Sequence, residues 1–293
     1  MSGLLVVPPL WPLLRLPRLT ADSAEERLDR AMRQATRPED VWKAFRAERR
    51  SSPDALTRAR ARLDEAYRTT TPEYLDRADV SARRRERIVE ALDRTHRVLG
   101  TYRRLCRLLL PVVADVARPR VLEVASGHGK LAIAIEKAFA SLDISAAVTG
   151  SDLAPELVAL AQRNALGAGS PVTFQRLDAT QLNLPDDSMD LVVNALSMHH
   201  LPFDSLVRAL SEMRRVSRRA VVFDLWRAPA LFAPAAAVML ALSFSFDCTH
   251  DGMISMRKAW GTEEWRLAAE LAGWPSMSIG LMLPGFLFLS FER

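Results

Sequence analysis

The sequence predicts an α/β fold: a seven-stranded, mostly parallel sheet ending in an antiparallel hairpin, with helices on both faces and a helical N-terminal extension. Three observations predict it. After Pro119, short apolar, β-prone runs alternate with runs of helical period. Runs such as "MDLVVNAL" and "RAVVFDLW" are apolar at consecutive positions, as strands are when helices cover both faces. The chain ends on "SMSIGLMLPGFLFLSFER", two β-rich runs about a Pro-Gly turn, which is a hairpin signal.

The elements follow in order. Residues 1–20 are apolar but carry four prolines, and they lack both a basic stretch ahead of the apolar run and a small-residue cleavage site. They read as a tail and not as a signal peptide. Residues 21–115 read as a helical extension or cap. Leu28, Met32 and Ala35 recur at helical spacing, as do Ile88, Leu92 and Leu99, with Pro38, Pro53, Pro72 and Pro111 as punctuation. One helix is expected across "EYLDRADVSARRRERIVEALDRTHRVLGTYRRL". Residues 116–293 hold the sheet domain, with strands at 120–125, 146–151, 172–177, 189–196 and 219–225. Helices are expected at 128–142, 155–167 and 204–217. The apolar run Ala228–Phe246 approaches the length that spans a bilayer, but Pro229 and Pro234 break its first half and Ser243 and Ser245 dilute its second. It reads as a buried or lid helix starting after Pro234, inside a lid insertion at 227–261, with a membrane-touching surface as the alternative. The last helix is expected near Thr262, with "TEEW" as a capping box.

Composition narrows the class. The chain is 49% hydrophobic and 26% charged, which suits a soluble globular protein with a real core. Cys106 and Cys248 are far apart and lack metal-ligand spacing, so neither a disulfide framework nor a metal site is expected, and the compartment reads as cytoplasmic. Residues 1–119 hold 25 basic and 17 acidic side chains, and the rest hold 15 and 18. The front half is therefore basic, but its acids are interleaved with its arginines. That is the pattern of solvated helix faces rather than of a nucleic-acid arm.

The candidate site begins in "VLEVASGHGKLAIA", Val121 to Ala134, where an apolar strand runs into a Ser-Gly-His-Gly turn and then a helix. Gly127 and Gly129 permit positive φ and let a ligand approach the backbone. In a parallel sheet ligands bind at the carboxyl ends of the strands. Asp152 ends the second strand, where a carboxylate can accept from vicinal ribose hydroxyls. Asp178 ends the third, placed for an adenine amino group. Glu123, inside the first strand, would repel a dinucleotide phosphate but suits a ligand with an ammonium and a sulfonium.

With these residues in place, the chain from about 120 to 293 resembles the class I S-adenosylmethionine-dependent methyltransferases, and the implied fold is Rossmann-like. "VLEVASGHG" is similar to the family's E/D-x-G-x-G-x-G motif, with Ala125 where the first glycine is usual. Asp152, with Leu153 beside it, falls on the acid after strand two. "LDAT", with Asp178 and Ala179, falls on the motif after strand three, and "VVNALSMHHLP" on the strand-four signature. The resemblance implies that S-adenosyl-L-methionine is the cofactor. It implies that Glu123, Gly127 and Gly129 place the methionine moiety, that Asp152 holds the ribose and Asp178 with Ala179 the adenine, and that Asn194 with Ala195 lines the methionine side. The helix before the first strand also resembles the N-terminal cap of ubiquinone/menaquinone-type methyltransferases and of those accompanying type III polyketide synthases. There, aromatic and basic residues touch the cofactor, which points to Tyr102 and Arg103.

Methyl transfer to a hydroxyl or an acidic carbon needs a base. Three histidines are candidates: His199 and His200 in "SMHHLP", with His200 preferred on the family pattern, and His250 next to Asp251. The apolar lid implies a small, apolar, aromatic or quinone-like acceptor, methylated at oxygen or carbon. An RNA or protein methyltransferase using the basic front half is a competing reading, disfavoured because "NALS" stands where base-flipping enzymes carry NPPY or DPPY. A non-catalytic partner protein with the same fold is the third, and the intact acids argue against it.

Overall fold

The computed structural model describes residues 37–282 and 285–293. The apolar segment 1–20, the helical reading of Leu28, Met32 and Ala35, and Pro284 of the expected hairpin turn lie outside the described residues.

The extension comes first. Helix α1 (Pro38–Ser51) starts on proline with two acids in its first turn, and α2 (Ala55–Tyr67) is capped by Asp54, whose carboxylate accepts from the Thr57 N–H at 2.7 Å. After a 3-10 turn at Tyr74–Asp76 come α3 (Ala82–Leu99) and α4 (Thr101–Leu109). The single helix expected from 73 to 105 is thus three pieces. Ser81 caps α3, and Gly100 ends it in the left-handed conformation at φ 61, a stop that a residue without a Cβ makes without strain.

The sheet domain then alternates: β1 (Arg120–Val124), α5 (Lys130–Ala140), β2 (Ala147–Asp152), α6 (Pro155–Gly167), β3 (Thr173–Arg176), β4 (Leu191–Ala195), α7 (Phe203–Val216) and β5 (Arg219–Leu225). These bounds lie within one to two residues of the expected ones. Helix α8 (Phe232–Ser243) begins before Pro234 instead of after it, because a proline is tolerated in a first turn, where its missing N–H has no partner to lose. Helices α9 (Phe246–Lys258) and α10 (Thr262–Leu271) follow, and β6 (Ser276–Met282) with β7 (Phe286–Glu292) closes the chain. The cap of α10 differs from the expected box. Gly261 is the capping residue, and only the reciprocal half is made, Glu264 accepting from the Gly261 N–H at 2.9 Å.

The seven strands lie in the order β3-β2-β1-β4-β5-β7-β6, with β7 antiparallel to β5 and to β6 and the rest parallel. The order reverses between β1 and β4, so the crevice at their carboxyl ends is the place for a ligand.

One core lies on each face of the sheet. On one side α7 and α10 bury Phe203, Leu210 and Trp265; on the other α4 and α5 bury Leu105, Leu109 and Phe139. The extension is packed into the first core. Trp42 of α1 stacks on Phe203 at 5.7 Å, and its indole N–H donates to Glu264 at 2.7 Å. The arginines of the front half engage acids: Arg46 and Arg50 meet Glu65, Arg49 meets Glu263, and Arg84 meets Asp247.

Candidate active site

A cavity of about 450 Å³ opens at the carboxyl ends of β1, β2, β4 and β5. Its floor comes from the turns after those strands. Its walls come from the inner faces of α3, α8 and α9, which contribute Ile88, Leu92, Val238, Met239 and Met256. The surface is mostly apolar, with acids at chosen points.

Glu123 stands at the floor. It is 2% exposed and accepts one hydrogen bond, from the Ala132 N–H at 2.9 Å. Burial pushes its pKa up to about 8; the Ala132 N–H opposes the shift and the charge on Asp152 adds to it. A buried carboxylate without a cation facing it is a binding site for one. Asp152 lies opposite, its two oxygens accepting from the Gly127 N–H at 2.9 Å and the Ala154 N–H at 3.0 Å. Each oxygen keeps lone-pair capacity for a hydroxyl donor. One buried oxygen on the lining, Ser126 Oγ, has no partner among the described residues. The cavity thus offers a carboxylate for an ammonium, acceptors for a diol and a spare hydrogen-bonding oxygen, and these residues fit S-adenosylmethionine.

The backbone at the floor is strained. Ala125 and Leu196, the residues that follow β1 and β4, hold φ of 53 and 58, and both line the cavity. Left-handed non-glycine residues cost energy and persist where the surroundings enforce them. Alanine at 125 explains why a glycine is usual in the motif. The chain accepts the strain at this turn.

At the far side of the floor, His199 is buried between carboxylates. Its Nδ1 meets Asp224 Oδ1 at 2.6 Å, and its backbone N–H donates to Asp224 Oδ2 at 3.0 Å. The bond to Asp224 fixes the proton on Nδ1 and leaves Nε2 as an acceptor. Burial alone would lower the His199 pKa, but Asp224 and Glu73 outweigh it and hold it above the usual histidine value. Glu73 comes from the extension. Burial raises its pKa, against the fields of His199 and Lys258 and a bond from Ser255.

His200 is different. Its side chain is 38% exposed, and its nearest acids, Glu73 and Asp76, lie 3.9 and 4.0 Å from Nδ1, too far for hydrogen bonds. Partial burial and the charge on His199 push its pKa down to about 4. His250 stacks on Tyr74 at 4.2 Å and meets Asp251 at 3.1 Å, but it does not line the cavity. Glu73, His199 and His200 also place three potential metal ligands within 4.8 Å of one another. The cation facing Glu73 in this structure is Lys258, whose Nζ lies 3.4 Å from Glu73 and 3.1 Å from Asp76.

The structure therefore brings Glu123, Ala125, Gly127, Asp152, Ala195, Tyr102, His199 and His200 to one cavity. It does not bring the other expected residues to its wall. Gly129 packs under the Phe174 ring, where a Cβ would come within 2.5 Å. Leu153 is 55% exposed. Asp178 spends one oxygen on the Thr180 N–H and hydroxyl, at 2.8 and 2.7 Å, and Ala179 packs against the core beneath. Asn194 is fully buried and ties β4 to β1 through its amide to Val124 O at 2.9 Å. Arg103 is exposed. Sequence reasoning named Asp251 only as a partner for His250, and it missed Asp224, Glu73 and Leu196. Of these only Asp224 carried a signal, an acid inside the apolar run "AVVFDLW".

Residues 121–220 match the family model described as a methyltransferase domain. The chain thus holds a segment similar to a methyltransferase domain. It is 32% identical over 110 residues to the demethylmenaquinone methyltransferase of Thermus thermophilus, covering 38% of this chain and 47% of that one. It is 35% identical over 102 residues to the ubiquinone/menaquinone biosynthesis C-methyltransferase UbiE of Bdellovibrio bacteriovorus, covering 35% and 41%. The matches thus span less than half the length of these curated relatives. The fold of the chain also aligns with the CMeT domain of the citrinin polyketide synthase, at a TM-score of 0.55 and 13% identity, over 96% of this chain and 82% of that one. That likeness runs through the extension and the helices α8 and α9 as well as the sheet domain.

Proposed function

We propose that this methyltransferase moves a methyl group from S-adenosylmethionine to a small, largely apolar acceptor at an oxygen or an acidic carbon, with His199 as the base. The observation that carries the reading is the buried His199–Asp224 pair on the wall of the cavity that also holds Glu123 and Asp152. When bound, the cofactor supplies a methyl group activated by sulfonium, and transfer leaves a neutral thioether. Glu123 holds the ammonium and Asp152 the ribose hydroxyls. The apolar walls from α3, α8 and α9 hold the acceptor and exclude water. His199 Nε2 takes the acceptor's proton as its oxygen or carbon attacks. Asp224 and Glu73 stabilise the imidazolium that forms. His200, with its low pKa and distant partners, shapes the wall and is not assigned the proton.

The acceptor class rests on the apolar walls and on the quinone-biosynthetic names of the relatives. The experiment is transfer from methyl-labelled S-adenosylmethionine to a panel of naphthoquinols, phenols and 1,3-dicarbonyl compounds, read by mass. His199→Asn is expected to lower turnover by about 10²- to 10⁴-fold with cofactor affinity unchanged. His200→Ala should keep most of the rate. The reverse order would move the base to His200.

A further inference from the structure

The junction between α8 and α9 is built to present two phenylalanines that the fold itself does not use. Phe244 is 82% exposed and Phe246 80%. Single exposed apolar side chains are ordinary, but two large rings side by side at one turn are not. Phe244 also holds φ 51, at the C-cap of α8. Glycine or asparagine takes that position without strain, so a phenylalanine there is retained for its side chain. The turn is well fixed. Ser245 Oγ accepts from the Cys248 N–H at 3.2 Å, Ser243 Oγ accepts from the Ser245 N–H at 3.2 Å, and Arg94 of α3 donates to Ser243 O at 3.0 Å.

Arginines outnumber acids around the rings, with Glu90 an exposed acid among those of α3. Arg94 is anchored at Ser243. Arg84 closes on Asp247 with bonds of 2.8 and 2.7 Å and neutralises it, while Arg87 lies near enough for its field to lower the Asp247 pKa. Arg87, Arg94 and Arg97 are exposed, and Val98, one turn from Arg94, is 63% exposed. On α8 itself Val238 is 36% exposed and also lines the cavity. Among the described residues no helix is long and apolar enough to cross a membrane.

We propose that the Phe244–Phe246 junction and the arginines of α3 form a docking surface for an anionic lipid bilayer. Aromatic rings settle at the headgroup level, and arginines beside them meet lipid phosphates. Helix α8 carries the ring-bearing junction at one end and the cavity-lining Val238 and Met239 along its length, so a bilayer docked there adjoins an element of the cavity wall.

The test is co-sedimentation of the full chain with phosphatidylcholine vesicles carrying roughly one third phosphatidylglycerol, against pure phosphatidylcholine. The expected result is partitioning to the anionic vesicles that weakens with added salt. The double substitution Phe244→Gly/Phe246→Ser, which also relieves the strained φ, should weaken partitioning by roughly tenfold or more. Arg87→Glu should weaken it on anionic vesicles only. Melting temperature should not fall, and S-adenosylmethionine affinity should be unchanged, in both variants. The proposal is overturned if the chain ignores anionic vesicles, or if the double variant partitions as well as the parent. It is also overturned if light scattering shows a dimer that the double variant dissolves, since a second copy would then cover the rings. Loss of cofactor binding by the parent chain would sink the functional reading and leave this one standing.

Discussion

Glu123 is the residue whose chemistry decides most. With a pKa near 8 it is protonated in the free protein at neutral pH, whereas in the unfolded chain it titrates near 4.5. A raised folded pKa stabilises the protein fully below the unfolded value, and that contribution is lost as pH rises through the folded one. The cofactor-free protein is therefore expected to lose stability between about pH 5 and 8, by on the order of a few kcal/mol. Glu123→Gln should remove most of that slope in melts taken across the range. Binding a cation reverses the preference, because an ammonium beside Glu123 favours the carboxylate. Binding at pH 7 should then release up to one proton, read by calorimetry in buffers of different ionisation enthalpy. The same substitution should abolish the release and cost about 2–3 kcal/mol of affinity. Proton release that persists in the variant would assign the proton to another group. Glu123 was legible because an acid inside an apolar strand is expensive and so has a purpose. Asp224 showed the same signal in β5. Its meaning was hidden because its partner, His199, comes from the turn after β4, and only the parallel β4–β5 pairing brings the two together.

At the scale of elements, the strand-turn-helix after β1 divides its glycines between two tasks that the motif alone does not separate. A Cβ on Gly127 would meet nothing within 4 Å, and its N–H is spent on Asp152. A Cβ on Gly129 would come within 2.5 Å of Phe174 and 2.8 Å of Ala161, at φ +76. The second glycine therefore lets α5 pack against α6 and β3. Gly129→Ala is expected to destabilise the fold by about 2–4 kcal/mol, through overpacking and backbone strain together, in urea denaturation. Gly127→Ala, strained but unhindered, should cost roughly 1 kcal/mol. Equal losses would contradict the packing assignment. Strand and helix bounds in this half were readable because apolar periodicity sets them. The extension was less readable, since its breaks depend on single residues such as Gly100, and neither Glu73 nor its approach to His199 follows from local pattern.

At the scale of the molecule, the extension and the sheet domain are locked by one buried ion cluster, and the cavity depends on that lock. The Arg227 side chain is fully buried after β5. It bonds Asp64 of α2 at 2.7 and 2.9 Å, Glu264 of α10 at 2.6 Å, and the carbonyl of Ala259. Glu264 also accepts from Trp42 and from Arg68, and Arg68 lies between the rings of Trp42 and Trp260. Such a cluster gains little over apolar packing while whole, but losing one member strands the others without water. Arg227→Ala leaves Asp64 and Glu264 facing each other across a void, and is expected to cost about 3–5 kcal/mol. The extension carries Glu73, Ile88, Leu92 and Tyr102 into the cavity wall, so this loss far from the floor should also weaken S-adenosylmethionine binding. Limited trypsin digestion offers a direct reading, because Arg83, Arg84, Arg85 and Arg87 sit in α3, which must open before trypsin can cut it. Faster cleavage there, suppressed by added cofactor, is the expected outcome. A destabilised variant that keeps the parent's cleavage pattern and cofactor affinity would show that the cluster holds the fold but does not shape the site.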